Sequence, residues 1–203
     1  MFKTEQESFW AGAFGDDYID RNKGEKLYAG NLALFSEIIK RTTNIRSVLE
    51  IGANVGMNLM AISQLLPEAE MSGIEINDKA SEILKGKING KVYCTSIVEY
   101  VVDYQRDLVL SKGVLIHINP DELPKTYDLM YDASRKYICI AEYYNPSPVS
   151  INYRGHDNKL FKRDFAGDLM QRHKDLILVD YGFAYHKDNN FSQDDITWFL
   201  LRK

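Results

Sequence analysis

Cysteine is scarce, with two in 203 residues, Cys94 and Cys139. Each falls in an apolar, strand-like run, so no disulfide framework is expected and both read as buried thiols in a reducing cytoplasm. Histidine is thin too, at four scattered copies. None stands at metal-ligand spacing from a cysteine or another histidine, so no metal site is expected. A basic surplus is missing: Lys plus Arg total 25 against 29 acids, a net charge of −4. The clusters Lys159-Lys162-Arg163 and Arg172-His173-Lys174 are modest, which argues against nucleic acid as substrate. No apolar stretch approaches the ~20 residues of a membrane span, and no signal peptide is expected. Repeats and low-complexity segments are absent. What remains is an ordinary globular composition, 45% hydrophobic and 27% charged, with enough chain for one substantial core. The expectation is a cytoplasmic protein that handles small molecules, in two parts: a leader over residues 1–30 and a single domain over 31–203.

One stretch organises that domain. Val48-Leu49-Glu50-Ile51 is an apolar run interrupted by a single acid, as a buried strand would be. Gly52 and Gly56 punctuate it, and a helical pattern of Leu59, Met60, Ile62, Leu65 and Leu66 follows. Strand, glycine turn and helix N-terminus together make a cradle for a ligand at the sheet edge. Counting decides between ligands. A dinucleotide turn G-x-G-x-x-G needs glycine at 52, 54 and 57, and only Gly52 fits, because Asn54 and Met57 occupy the others. The S-adenosylmethionine pattern, acidic-x-G-x-G-x-G, finds Glu50, Gly52 and Gly56 and misses only at Asn54. An acid before the turn also suits a ligand that carries an ammonium and no pyrophosphate.

At these residues the chain resembles class I methyltransferases, and the likeness continues in order. Met71 to Ile76 reads as a second strand, with Glu75 placed to accept from ribose hydroxyls. Val92-Tyr93-Cys94 reads as a third, with Ser96-Ile97 at the adenine position. Asp107 to Leu115 reads as the fourth strand and its turn, bringing Lys112 and Gly113 to the cofactor. The resemblance implies an α/β, Rossmann-like fold: a seven-stranded, mostly parallel sheet with an antiparallel last strand and helices on both faces. It implies S-adenosyl-L-methionine as cofactor, S-adenosyl-L-homocysteine as product, and Glu50, Gly52, Asn54, Gly56, Glu75, Ile76, Ser96, Ile97, Lys112 and Gly113 as its binding residues. Lys112 is expected to contribute backbone, with its side chain outside.

The leader concentrates aromatics and charge: Phe9-Trp10, Gly12, Phe14-Gly15, Tyr18, Arg21-Asn22. Either it is a helix packed on the sheet edge, or it is a lid that brings Tyr18 and Arg21 to the cofactor and Trp10 to the substrate. With Lys112-Gly113-Val114-Leu115-Ile116-His117-Ile118-Asn119-Pro120, these residues resemble a small family of methyltransferases associated with biosynthesis of pseudaminic acid and related nonulosonic sugars. That likeness implies N- or O-methylation of an amino sugar or its precursor.

The second half supplies the chemistry. Asn31 to Lys40 is an amphipathic helix that precedes the first strand. Asn119-Pro120-Asp121-Glu122 has the residues of a helix start, and Tyr137 to Ala141 reads as a fifth strand. Asn145-Pro146-Ser147-Pro148 reads as a rigid proline turn. Residues 149–163 show little periodicity and read as a loop. A helix (Asp164 to Arg172), a sixth strand (Leu176 to Val179) and a last strand (Ile196 to Leu201) complete the chain. Ligands sit at the carboxyl ends of parallel strands. That nominates His117, Tyr143, Tyr144 and His156 for catalysis and Glu142 and Arg154 for substrate. For His117 the alternative is a structural histidine, for the tyrosines plain packing, and for Arg154 and His156 a solvated loop. Two other functions compete: a nicotinamide-dependent oxidoreductase and a non-catalytic cofactor-binding subunit.

Overall fold

All five residues of strand β1 (Ser47–Ile51) are buried, which places this run at the centre of a sheet covered on both faces. It pairs in parallel with β2 (Glu70–Glu75) on one side and β4 (Arg106–Lys112) on the other. Outward from β2 lies β3 (Val92–Cys94), and outward from β4 lies β5 (Ser134–Glu142), both parallel. The last strand, β9 (Ile196–Arg202), runs antiparallel between β5 and β8 (Ile177–Ala184). The order is therefore 3-2-1-4-5-9-8. The computed structural model describes residues 2–21 and 24–203; Asn22 of the leader motif lies outside the described residues.

Period-two alternation assigns the strand residues to two cores. Val48, Met71, Leu108 and Leu110 join one cluster with helices α3 (Glu25–Ile39) and α4 (Met57–Leu65) and with Leu84 of α5 (Asp78–Lys85). Leu49, Ile51, Ile74 and Val109 join the other with α6 (Leu123–Ala133) and α7 (Phe165–Arg172). Leu49, Ile51, Leu59 and Ile62 are fully buried, and each such side chain contributes about 1.5–3 kcal/mol by leaving water.

Three expectations are corrected. Residues 149–163 are not a loop: β6 (Val149–Tyr153) and β7 (His156–Lys162) form an antiparallel hairpin. Arg154 and Gly155 turn it at φ +52° and +86°, the two left-handed residues of a type I′ turn. Helix α3 begins at Glu25, six residues before the start expected at Asn31. Gly30 of this helix lets Gln193 approach; a Cβ there would lie 2.8 Å from the Gln193 amide nitrogen. Cys94 is exposed, at the end of the short β3, while Cys139 is buried.

The leader forms two short helices, α1 (Glu5–Ala11) and α2 (Ala13–Ile19). Thr4 and Glu7 close a capping box on α1, satisfying its first amides. Asn77 donates to Asp16 at 2.9 Å, and Lys79 pairs with the same acid at 2.5 Å. Gln6 donates to the Asn158 carbonyl at 2.9 Å and Glu5 pairs with Lys159 at 2.9 Å, which ties α1 to the hairpin. Leader and hairpin thus meet above the carboxyl end of the sheet.

Candidate active site

Between β1 and β4 the strand order reverses, and at their carboxyl ends an open α/β sheet leaves a crevice. Here that crevice is a cavity of about 240 Å³, floored by the turns after β1, β2 and β4 and roofed by Trp10, Tyr18 and Tyr153. Of the cofactor residues expected from sequence, Tyr18, Gly52, Asn54, Glu75, Ile76, Ser96, Ile97, Lys112 and Gly113 line it. Trp10, His117 and Tyr143 line it as well.

The turn after β1 winds through left-handed backbone at Gly52 (φ +65°), Asn54 (+47°) and Gly56 (+81°). A Cβ at Gly52 would lie 2.6 Å from the Val114 side chain, and one at Gly56 would lie 2.6 Å from Leu84. Both glycines are therefore fixed by conformation and by space. Asn54, the one mismatch to the sequence pattern, is among the few non-glycine residues that adopt this conformation readily. Gly56 caps α4 rather than lining the cavity.

Glu75 ends β2 with its carboxylate at the cavity wall. One oxygen accepts from the Asn54 amide at 2.7 Å and the other from the Asn77 amide at 2.8 Å. Burial pushes its pKa up against the pull of these amides.

Glu50 lies one layer deeper, fully buried. One oxygen accepts from the Asn58 side-chain amide at 2.6 Å, and the other has no partner among the described residues. The sequence pattern predicts this carboxylate on the ligand; instead Asn58 is in the lining and Glu50 lies beneath it. Burial raises the Glu50 pKa to about 8. Because that lies above the unfolded value, its contribution to stability is complete below pH 4.5 and is lost as pH rises to about 8. The Glu50→Gln variant should gain on the wild type by up to about 1.4 kcal/mol per pH unit in that window, read by denaturant unfolding at several pH values. A constant difference between the two proteins would refute the buried-acid account.

Lys112 corrects an expectation too. Its side chain turns inward, where burial pulls its pKa down and Glu50, Asp194 and Glu142 pull it up, in that order.

Glu142 does not reach the cavity. Its carboxylate accepts from the Ser111 hydroxyl (2.6 Å) and from the amides of Val114 (3.0 Å), Leu115 (3.1 Å) and Ile116 (3.5 Å). It is a clasp that folds the loop after β4 into a 3-10 turn over Leu115–His117. Glu142→Ala leaves those buried donors unpaired, at roughly 1–3 kcal/mol each, so a stability loss of about 3 kcal/mol or more is expected in chemical unfolding.

The loop held by that clasp presents His117, which is 8% exposed. Its Nδ1 lies 2.5 Å from the Lys159 carbonyl of the hairpin. A carbonyl only accepts, so Nδ1 carries the hydrogen and Nε2 keeps its lone pair. Burial lowers the pKa of the ring to about 4. Trp10 and Tyr153 flank it, at 4.6 and 4.9 Å between ring centres.

The remaining nominated residues fall outside the cavity lining. Tyr144 is exposed on the other side of β5, against Phe199. His156 packs outside the roof on Phe9 and Phe14, and Arg154 lies over Tyr153 at the hairpin tip. Arg21 lies over Phe14 and Tyr18. Conversely, Asn31, Asn58, Tyr153, Gln193 and Asp194 line the cavity unforeseen. Asn31 is buried with its side-chain nitrogen unpartnered, and Gln193 donates to its oxygen at 3.2 Å. A buried asparagine on the apolar face of α3 was the one signal available in the sequence.

No protein-family model matches the chain, and no curated protein matches it in sequence. Solved structures do match in fold. A SAM-dependent methyltransferase from Leishmania major aligns with a TM-score of 0.76 at 14% identity, over 98% of this chain and 82% of that one. Magnesium protoporphyrin IX methyltransferase from Synechocystis, with bound SAH, gives 0.71 at 13% identity over the full length of both. The plantazolicin methyltransferase BpumL, in complex with a desmethyl substrate analogue and SAH, gives 0.64 at 16% over 98% and 94%. The chain has the Rossmann-like class I methyltransferase fold.

Proposed function

We propose that the protein is an S-adenosylmethionine-dependent methyltransferase acting on a small polar acceptor. The observation that carries this reading is the convergence, in one sheet-end cavity, of the left-handed glycine turn and the Glu75 carboxylate above the unpartnered oxygen of Glu50. The cavity suits the cofactor at each part. Gly113 has φ +66° with open space where a Cβ would point, so backbone can approach a nucleoside there. Glu75 retains lone pairs for ribose hydroxyls, and Ser96-Ile97 flank the adenine position. Asn58, held by Glu50 from beneath, offers its side-chain oxygen to an ammonium, and Lys112 and Asn31 offer donors to a carboxylate. When bound, the cofactor supplies a methyl group already activated on sulfur.

The rest is done by this chain. Trp10, Tyr18 and Tyr153 exclude water from above. The Tyr18 phenol, pushed up to about 12 by burial and by Tyr153 and Asp194, stays protonated and donates. His117, neutral with Nε2 free, accepts the proton that the acceptor's nucleophile gives up. The leader acts as the lid, and the protein works in the cytoplasm. The resemblance to the nonulosonic-sugar family extends the proposal to an amino sugar or its precursor, methylated at nitrogen or oxygen. The mixed lining of aromatic faces and hydroxyls supports that finer reading.

Calorimetric titration with S-adenosylhomocysteine tests the proposal. Binding at one site per chain, with none for NADH, is the expected result. NADH binding instead would favour the oxidoreductase, and cofactor binding without turnover of any acceptor would favour a non-catalytic subunit.

A further inference from the structure

We propose that the rim of the cavity is a docking site for an oxyanion, a phosphate or carboxylate group carried by the acceptor. The proposal deepens the methyltransferase reading for what reacts, but the anion site stands on its own geometry. The Arg21 guanidinium lies 5.6 Å from the ring centre of Phe14 and 6.0 Å from that of Tyr18. Arg154 lies 5.6 Å from the ring of Tyr153, and the Lys162 ammonium 5.0 Å from the ring of Tyr143. Tyr18, Tyr143 and Tyr153 all line the cavity. Arg154 acts electrostatically on Tyr18 and Tyr143 as well as on Tyr153. Three cations, one from the leader and two from the hairpin, therefore lie over rings that line one cavity.

None of the three has a carboxylate partner within ion-pair distance among the described residues, although the chain carries a surplus of acid. Elsewhere on the surface, Lys40, Lys79, Lys85, Lys91 and Arg172 are each paired. Rings hold these three cations without neutralising them, because a π face attracts a charge and leaves N–H donors over; Arg154 spends one of its five on the Tyr153 hydroxyl. Two are guanidiniums, whose planar forks match a phosphate or carboxylate edge. Arg154 is also aimed by its backbone, fixed in the two-residue hairpin turn. Two acids lie near this mouth: Asp194, which acts on Tyr18, Tyr143 and Lys112 and is opposed from within the cavity by Lys112, and Asp195, which acts on Lys162 but is bonded to His186. An anion held at the rim leaves the body of the acceptor to extend inward along Tyr18 and Tyr153 toward His117. The acceptor class is therefore a small anionic molecule with a nucleophilic hydroxyl or N–H.

The test titrates the protein, alone and saturated with S-adenosylhomocysteine, with inorganic phosphate, citrate and glucose, and repeats the series on R21A/R154A/K162A. Wild type should bind phosphate or citrate and not glucose. The triple variant should lose affinity for the anion by roughly tenfold or more, with S-adenosylhomocysteine affinity unchanged. Preference for phosphate identifies a phosphoryl handle, and preference for citrate a carboxylate. Where the triple variant does not fold, Arg154→Ala alone, at an exposed turn, should show part of the loss. Equal anion affinity in wild type and variant, no anion binding by wild type, or equal binding of glucose would overturn the proposal. Loss of S-adenosylhomocysteine affinity in the variant would reassign these cations to the cofactor and overturn it as well. Should wild type fail to bind S-adenosylhomocysteine, the methyltransferase reading falls, and the titration of the protein alone still decides the rim.

Discussion

Glu75→Ala should cost S-adenosylhomocysteine affinity by about 100-fold or more and lower the stability of the unliganded protein at the same time. The binding loss follows from two hydrogen bonds between ribose hydroxyls and a buried carboxylate, each worth about 1.5–3 kcal/mol. The stability loss follows from a second duty of the same group. Its oxygens take the amides of Asn54 and Asn77, which order the turn after β1 and the cap of α5. Deleting the carboxylate strands both amides in a site where Glu75 itself is only 6% exposed. From sequence alone, the expectation is lost binding with an intact fold; the geometry couples the two. Thermal unfolding with and without ligand separates them. The variant should melt lower than wild type without ligand, and saturating ligand should raise its melting temperature far less. A variant that melts lower yet binds with wild-type affinity would mean that Glu75 shapes the turn and touches no ligand.

The parts of the fold that sequence made legible are those where one local rule decides. The run 48–51 had nowhere to go but the middle of a covered sheet, and β3 falls on Val92–Cys94 as read. Gly52 and Gly56 mark a glycine turn between strand and helix; that its backbone is left-handed is what the structure adds. The hairpin was hidden because its turn is Arg154-Gly155, not an Asn-Gly pair, and its outer faces are exposed (Val149, Ile151). With β6 mostly exposed and only Lys159 and Leu160 buried in β7, little alternation marks the strands.

The site divides along the same line. Positions fixed by backbone geometry, such as Gly52, Asn54 and Glu75, were readable because they sit a fixed number of residues from a strand end. Side chains whose role depends on what faces them were not. Glu142 looked like a substrate ligand at a strand's carboxyl end, but three amides from the next loop converge on it first. Lys112 is expected to keep its side chain outside the pocket, yet it lines the cavity within the electrostatic reach of Glu50, Asp194 and Glu142. Tyr153 and Asp194 came from segments remote in sequence, one in the unrecognised hairpin and one in the turn before β9. Neither could be placed before the roof was known.

His117 carries the second large effect. Replacing it with glutamine retains a donor for the Lys159 carbonyl and removes the free lone pair, so cofactor affinity should hold while turnover falls by roughly 10²–10⁴-fold. The wild-type pH profile gives a sharper test. A histidine of ordinary pKa would switch activity off between pH 7 and 6. Here burial disfavours the imidazolium and the one polar partner of Nδ1 among the described residues is a neutral carbonyl, so the ring stays neutral down to about pH 4. The His117 limb of the profile should therefore stay flat through neutrality and fall only near that value. Nuclear magnetic resonance of the ring nitrogens reads the same group without any acceptor: hydrogen on Nδ1, none on Nε2, and no titration above about pH 5. A midpoint near 6.5 would place the ring in water, and a hydrogen on Nε2 would leave no lone pair facing the cavity. The second result would leave Tyr18 and Tyr143, both held protonated by burial, as donors in a site without an imidazole base. A methyl acceptor would then have to arrive already deprotonated, which confines the reaction to nucleophiles that are neutral amines or anions at the working pH.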